Sequence, residues 1–281
     1  MSLSLRRPSR RFTIVAASVL ALGAAFVGGG AIYAATTQPA IHTITPKSEN
    51  QITNLDVLRQ QIRNYYGDPL GSGIFADDSN YANEAQSVAD AGSRWLNAPH
   101  NGNGQKAILL DVDDTSLATW NYEIFSNWAF NPTTNANFVN NQQFPAVPGM
   151  VDMVNKAHAE GYAVFFLTGR PATQEAATLG NLTSDGIGVD AGYPAPTTLN
   201  DGEDGLFTKP AVADYPAYLR AACAGDPNGS CTTLHYKSAT RAHIESLGYD
   251  IVANFGDQFS DLNGGFADRT FKLPNPNYFL P

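Results

Sequence analysis

The chain has 281 residues, of which 43% are hydrophobic and 15% are charged. This composition excludes a disordered chain and a coiled coil, and the length suits one or two domains with a sizeable core. Asp and Glu number 26 against 17 Lys and Arg, so the formal net charge is −9. An acidic chain repels phosphate backbones, which argues against binding to a nucleic-acid polymer.

The first 35 residues have the pattern of an export signal. Four arginines lie in the first eleven positions, and an uncharged, mostly apolar stretch then ends in small residues. This order predicts a signal peptide over 1–35, and Arg10-Arg11 loosely resemble a twin-arginine signal. The alternative is an uncleaved membrane anchor, because the 24 residues from Phe12 to Ala35 could span a bilayer. In both cases the rest of the chain is expected outside the cytoplasm, without stable membrane contact if the segment is cleaved.

The remaining chain is predicted to form a linker and one domain. Residues 36–50 are polar with scattered prolines, which indicates a linker before a domain over 51–281. Apolar residues at helical spacing predict helices, and short apolar runs predict buried strands. The predicted helices cover residues 51–66, 79–96, 149–160, 171–184 and 238–247. The predicted strands cover residues 107–110, 163–167, 232–236 and 251–255. Strands that alternate with helices predict an α/β fold with a mainly parallel sheet and helices on both faces.

A polar residue follows each of the four predicted strands. These residues are Asp111, Thr168, Lys237 and Asp257. Ligands of open parallel sheets bind beyond the carboxyl ends of the strands, so we expect the four side chains to converge. Lys209 is a competing lysine, but no strand-like run of similar quality precedes it.

The carboxylates of this group predict a metal site. Asp113 lies two residues after Asp111, and Asp261 lies four residues after Asp257. Carboxylates crowded together repel one another unless a cation neutralises them, and oxygen ligands without Cys or His favour Mg²⁺. A hard cation beside a hydroxyl and an ammonium group suits a phosphoryl group. One carboxylate could then attack phosphorus, and a second could move protons to and from the reacting oxygens.

Four segments in chain order resemble a known superfamily. DVDDTSL, FFLTGRP, HYKSATR and FGDQFSDL resemble motifs one to four of the haloacid-dehalogenase (HAD) superfamily. YKSATR, GDQFSDL and the closing FKLPNPNY are similar to its secreted acid-phosphatase subfamily, which includes plant acid phosphatases, vegetative storage proteins and bacterial enzymes. The resemblance implies a HAD-like Rossmannoid fold with N-terminal helices and a minimal cap. It also implies a Mg²⁺-dependent phosphomonoesterase that hydrolyses small phosphate monoesters through an aspartyl-phosphate.

The resemblance also implies a role for each matching residue. Asp111 would be the nucleophile, and Asp113 the general acid and base. Thr168 and Lys237 would bind the phosphoryl oxygens, and Gly169 would lend a backbone amide. The implied metal ligands are Asp111, Asp113 (also through its backbone carbonyl), Asp257 and Asp261.

Several interpretations remain open from the sequence. Trp120 and Tyr122 either line the mouth of the site and stack on a leaving group, or form a small hydrophobic cap or core cluster. Arg241 is expected to pair with Asp257 or Glu245. The alternative functions are a storage or phosphate-binding protein on the same fold, and a phosphotransferase.

The two cysteines predict a disulfide. Cys223 and Cys231 bracket the turn-rich stretch AGDPNGS. In an exported protein, two cysteines this close are expected to form one bond that closes a short loop.

Overall fold

The computed structural model describes residues 54–183 and 186–280. The predicted signal segment (1–35) and linker (36–50) lie outside the described residues. A compact unit covers Thr53–Pro281. Within the described ranges, none of the helices has the length and apolar character needed to cross a bilayer.

Strands and helices alternate over most of this unit. The strands are Gln105–Leu110 (β1), Ala163–Pro171 (β2), Leu206–Lys209 (β3), Tyr249–Gly256 (β4) and Thr270–Lys272 (β5). The first helices are Leu55–Tyr65 (α1), Asn80–Leu96 (α2), Trp120–Ser126 (α3), Pro132–Asn140 (α4) and Met150–Ala159 (α5). The later helices are Glu175–Leu182 (α6), Ala217–Ala222 (α7), Thr233–Ser246 (α8) and Phe259–Leu262 (α9).

The five strands form one parallel sheet in the order β3-β2-β1-β4-β5. β1 lies in the centre, and its last residue, Leu110, aligns with Phe166 of β2 and Phe255 of β4. The carboxyl ends of these three strands therefore meet at one edge of the sheet. The predicted α/β fold with a parallel sheet is confirmed.

Apolar side chains of the central strand alternate between two core layers. Ile108 and Leu110 pack in a cluster with residues of α2 and α5. Ala107 and Leu109 point to the other face, into a cluster with residues of α7 and α8. Helices cover both faces, and each large apolar side chain buried there contributes roughly 1.5–3 kcal/mol.

The predicted strand over 232–236 is wrong, because these residues begin helix α8. The Thr232 hydroxyl accepts the backbone N–H of His235 at 3.2 Å, which caps the helix. Tyr236, Thr240 and Ile244 are buried at helical spacing. A five-residue run was too short to distinguish the two periods.

Two short strands escaped the sequence prediction. β3 has four residues and β5 has three. β3 ends at Lys209, so the expectation that no comparable strand precedes this lysine is also wrong. Both strands lie at the edges of the sheet, where short length weakens the sequence signal.

The predicted disulfide between Cys223 and Cys231 is confirmed. Cys223 follows α7 directly, and Cys231 precedes the Thr232 cap of α8. Both cysteines are buried in the core layer that contains residues of these two helices. The bond therefore ties the end of one helix to the start of the next.

Candidate active site

Three buried aspartates converge at the carboxyl edge of the sheet. Asp111 directly follows β1, and its backbone N–H still donates to the Phe255 carbonyl at 2.9 Å. Asp257 directly follows β4, and Asp261 lies on α9. Each aspartate offers one oxygen within 4.8 Å of the other two. The structure thus brings together three of the four predicted metal-binding side chains.

A glycine permits this close approach. A Cβ atom on Gly256 would lie 2.4 Å from the Cβ of Asp261, so a larger residue would displace the aspartate. The backbone N–H of Gln258 donates to Asp261 Oδ2 at 2.8 Å, which fixes the carboxylate at the first turn of α9. The main chain after β4 therefore determines where Asp261 points.

Lys237 reaches the aspartates from the second turn of α8. Its buried ammonium donates to Asp111 Oδ1 and, at 2.6 Å, to Asp261 Oδ1. Burial lowers the pKa of Lys237, but the charges of Asp111 and Asp261 outweigh it, so the pKa lies above the ordinary value. The lysine is therefore charged at neutral pH.

One ammonium does not neutralise three carboxylates. Burial raises the pKa of Asp111, and the charges of Asp261 and Asp257 add to this effect against the opposing charge of Lys237. Burial and the charge of Asp261 also raise the pKa of Asp257, to about 7. Excess negative charge in a buried cluster of oxygen atoms suits a divalent cation.

The loop after β1 carries two further carboxylates, Asp113 and Asp114, which have different surroundings. Asp114 has a positive φ of 52°, and its carboxylate accepts the backbone N–H of Thr119 at 2.9 Å and the hydroxyl of the same residue at 2.6 Å. Asp114 therefore stabilises the loop. The side chain of Asp113 is partly exposed and is not one of the three aspartates whose oxygens lie within 4.8 Å of one another.

Arg170 binds Asp113 through a bidentate ion pair, which the sequence analysis did not predict. Arg170 Nη2 lies 2.6 Å from Asp113 Oδ1, and Nε lies 3.1 Å from Oδ2. Thr178 Oγ1 accepts from Nη1 at 3.0 Å, and the guanidinium carbon lies 5.3 Å from the centre of the Phe144 ring. The arginine is 6% exposed, so its position is fixed on several sides. It orients the Asp113 carboxylate.

The pleat of β2 contained a signal for this arginine. β2 continues past Thr168 to Pro171, with Thr168 and Arg170 buried and Gly169 exposed between them. The period of two therefore places Thr168 and Arg170 on the same face. The predicted strand ended at residue 167 and the predicted helix began at residue 171, so the alternation was overlooked.

Thr168 and Gly169 lie at the same edge as Asp111. The pairing of Leu110 with Phe166 sets Asp111 and Thr168 just beyond aligned residues of β1 and β2. A Cβ atom on Gly169 would meet no atom within 4 Å. The Gly169 backbone thus borders open space on the side where a Cβ atom would lie.

Trp120 and Tyr122 belong to the interior, so the expectation that they line the mouth of the site is corrected. Both are 1% exposed. The Trp120 ring stacks on Tyr66 with centroids 4.1 Å apart, and its indole N–H donates to Asp68 at 3.0 Å. The Tyr122 hydroxyl donates to the Asn131 carbonyl at 3.0 Å. The alternative of a core cluster accounts for both side chains.

Arg241 is fully buried, and its contacts differ from the expected ion pairs. Its guanidinium donates to the carbonyls of Asp261 at 2.6 Å, Gly265 at 2.8 Å and Asn263. These bonds hold the loop that follows α9. The arginine thus stabilises the segment that carries Asp261, without a direct bond to the carboxylate of Asp257 or Glu245.

Comparison with solved structures identifies the fold class. The class C acid phosphatase from Bacillus anthracis superposes with a TM-score of 0.55 at 19% identity. The match covers 79% of this chain and 86% of the bacterial chain, and the tungstate-bound form of that enzyme matches equally well. This likeness shows that the α/β fold with its parallel sheet is shared with that bacterial enzyme.

The family model described as HAD superfamily, subfamily IIIB (acid phosphatase) matches residues 33–281. The chain therefore belongs to this family, as its four motifs predicted.

Plant proteins are among the curated relatives. The soybean (Glycine max) stem 28 kDa glycoprotein is 34% identical over 180 residues, which is 62% of this chain and 59% of the relative. Acid phosphatase 1 of Solanum lycopersicum is 26% identical over 210 residues, which is 71% of this chain and 69% of the relative. Vegetative storage protein 1 of Arabidopsis thaliana is 50% identical over 56 residues, about a fifth of each chain. The match thus spans less than two thirds of the soybean relative.

Proposed function

We propose that this protein is an exported, Mg²⁺-dependent phosphomonoesterase that acts through an aspartyl-phosphate on Asp111. One observation carries the proposal: the buried Asp111 carboxylate contacts the Lys237 ammonium in a group of three aspartates. This arrangement combines a nucleophile, a cation for phosphoryl oxygens and a set of metal ligands within one small space. Membership of an acid phosphatase family supports the same reaction.

The donor set fits a hard divalent cation. Asp111, Asp257 and Asp261 offer only oxygen atoms, and all three are buried. These residues would hold Mg²⁺, with Asp113 contributing through its backbone carbonyl. The bound ion would offset the negative charge of the carboxylates and of the phosphoryl group.

The residues then divide the reaction between them. An oxygen of Asp111 attacks phosphorus while the bond from phosphorus to the ester oxygen breaks, and Asp113 gives its proton to the departing oxygen. Lys237, the Thr168 hydroxyl and the Gly169 amide stabilise charge on the phosphoryl oxygens. Water next attacks phosphorus and gives a proton to Asp113, the bond from phosphorus to the Asp111 oxygen breaks, and inorganic phosphate leaves.

Arg170 positions the carboxyl group of Asp113. Its fork geometry sets the plane of this group, which must reach the leaving oxygen first and the attacking water later.

Three features support a location outside the cytoplasm. The disulfide between Cys223 and Cys231 is stable in an oxidising compartment. The predicted signal segment over 1–35 supplies a route, and related soybean proteins are named as glycoproteins.

The decisive experiment replaces the nucleophile. Asp111→Asn should lower the turnover of an aryl phosphate by more than about 1000-fold, because the neutral amide is a poor nucleophile. Wild-type protein quenched in acid with a ³²P-labelled ester should retain label, and the variant should not. EDTA should abolish turnover, and added Mg²⁺ should restore it.

Full turnover by Asp111→Asn would contradict the assigned nucleophile. Asp90→Asn, which changes an acid on α2, serves as the control and should keep wild-type activity.

The same assays separate the alternatives. A storage or phosphate-binding protein would bind Mg²⁺ and phosphate but release no phosphate from any ester. A phosphotransferase would also form labelled protein, and added glycerol would then yield a phosphorylated product. The intact group of Asp111, Lys237 and the acidic ligands favours hydrolysis over storage.

A further inference from the structure

The C-terminal segment, defined as residues 273–280, lies against the acidic edge of the sheet. The backbone N–H of Leu273 donates to the Gly256 carbonyl at 2.9 Å, directly after β5. Further along, the backbone N–H of Leu280 donates to the Gln258 side chain at 3.1 Å, and Gln258 donates to the Tyr278 carbonyl at 3.4 Å. The segment is thus bonded to the residues that flank Asp257.

Within this segment, Asn275 points its amide at buried carboxylates. Asn275 Nδ2 donates to Asp257 Oδ2 at 2.6 Å and reaches Asp114 Oδ2 at 3.5 Å. Gln258 Nε2 donates to the same oxygen of Asp257 at 2.6 Å. Two amides therefore occupy Oδ2, and both donors come from outside the three-aspartate group.

The other oxygen of Asp257 is left for a cation. Among the described residues, its side-chain contact is a long one, 3.4 Å from the Thr115 hydroxyl. We infer that Asn275 is a positioning residue that turns the Asp257 carboxylate, with Oδ1 facing the metal. This inference rests on the Mg²⁺ site of the proposed function and adds the carboxyl end of the chain to that site.

The segment has attachments besides the Asn275 side chain, whose Oδ1 accepts the backbone N–H of Asn277 at 2.8 Å. Asn277 donates to the Tyr66 hydroxyl at 2.9 Å and accepts from the Trp128 indole at 3.3 Å. Leu273 and Leu280 supply the backbone bonds described above. The oxygen of the Asn275 amide thus belongs to the turn of the segment, while its Nδ2 group donates to the carboxylates of Asp257 and Asp114.

Loss of the Asn275 amide should weaken Mg²⁺ binding measurably, because the Asp257 carboxylate would no longer be held in one orientation. Groups that hydrogen-bond to a metal ligand typically change affinity by about 10- to 100-fold when they are removed. Without Asn275, Asp257 keeps one of its two amide donors, and its carboxylate can rotate away from the ion. Asp114 also loses a donor, which increases repulsion between the two acids.

The test compares three variants of the full chain. Asn275→Ala removes the amide, and Asn275→Leu replaces it with an apolar side chain of similar size. Asn277→Ala is the matched control, because it removes an anchor of the same segment without touching Asp257. Mg²⁺ binding to each EDTA-treated protein is measured by isothermal titration calorimetry, and melting temperatures are measured with and without Mg²⁺.

Both Asn275 variants should bind Mg²⁺ about 10- to 100-fold more weakly than wild type, and should be stabilised less by it. Asn277→Ala should lower the metal-free melting temperature but keep the wild-type affinity for Mg²⁺. Wild-type affinity in either Asn275 variant would overturn the inference. An equal loss in Asn277→Ala would do the same, since the segment would then act only through folding.

The outcome is distinguishable from failure of the proposed function. A wild-type protein that binds Mg²⁺ but hydrolyses no ester contradicts the phosphatase proposal and leaves the comparison of affinities intact. A wild-type protein that binds no Mg²⁺ contradicts both.

Discussion

The two sides of the site are built in different ways. On the acidic side, Asp111 and Asp257 follow β1 and β4 directly, so the register of a parallel sheet brings them together. On the cationic side, Lys237 reaches in from a helix and Arg170 from the end of β2. Sheet topology alone determines the positions of Asp111 and Asp257. The positions of Lys237 and Arg170 depend instead on how helix α8 packs and on how far strand β2 extends. Substitutions of Lys237 and Arg170 should therefore test most directly how the site is built from separate elements.

Among the substitutions that compare the two sides, Lys237→Met should have the largest effect. Lys237→Met should lower turnover of an aryl phosphate by about 100- to 1000-fold, the usual cost of removing one donor from a developing oxyanion. It also leaves Asp111 and Asp261 buried without their cation, which should destabilise the protein by about 3 kcal/mol at neutral pH. Steady-state kinetics and urea unfolding measure the two effects.

The control for this variant is Lys156→Met, which removes an exposed lysine. Excess Mg²⁺ should restore part of the lost stability but little of the turnover, because the ion replaces the charge and not the ammonium donor. Wild-type turnover in Lys237→Met would show that this lysine has no role in the reaction.

A smaller effect is expected at Arg170, which contacts the proton-transfer residue. Arg170→Gln should lower kcat by about 10- to 100-fold with little change in KM, since a misdirected Asp113 slows both steps. Arg170→Lys keeps the charge but loses the fork, so it should recover part of the loss. The exposed Arg94→Gln is the control. A change confined to KM would instead indicate that Arg170 binds substrate.

The smallest expected effect is a pH dependence of stability on the acidic side. Burial raises the pKa of both Asp114 and Asp257 to about 7, against 3.8 for a free aspartate. Between these values the folded state holds more protons than the unfolded state, so stability falls as pH rises and levels off above 7. Metal-free protein should therefore melt a few degrees higher at about pH 5 than at about pH 7.5.

Mg²⁺ should reverse this order, because protons compete with the ion for Asp257. Thermal melts with EDTA and with excess Mg²⁺ at both pH values measure the difference. A metal-free protein that melts higher at the more alkaline pH would show that other groups dominate the titration.

The contrast between the two sides also explains what the sequence could predict. The strands before Asp111, Thr168 and Asp257 are buried apolar runs, and a parallel sheet brings their ends together. Lys237 was placed in the right site but on the wrong element, because a short apolar run fits a strand and a buried helix equally well. Its family motif supplied what the local pattern lacked.

Other residues of the site depend on contacts between distant segments. Asn275 lies 18 positions from Asp257, and Arg170 lies 57 positions from Asp113. The period of two in β2 places Arg170 on the face of Thr168, but neither composition nor periodicity identifies the residue with which Arg170 or Asn275 pairs. Trp120 and Tyr122 follow a catalytic motif closely in the sequence but belong to the core. The sequence does not distinguish aromatic residues of the core from those at the mouth of a site.

The disulfide has a consequence for how the protein should be produced. Cys231 lies six positions before Lys237, at the start of the helix that carries this lysine. Closing so short a loop is worth about 2–3 kcal/mol, and a host cytoplasm that keeps thiols reduced withholds it. Protein produced in such a cytoplasm would have a less stable start of helix α8. A low specific activity would then reflect the redox state of the host instead of the chemistry of the site.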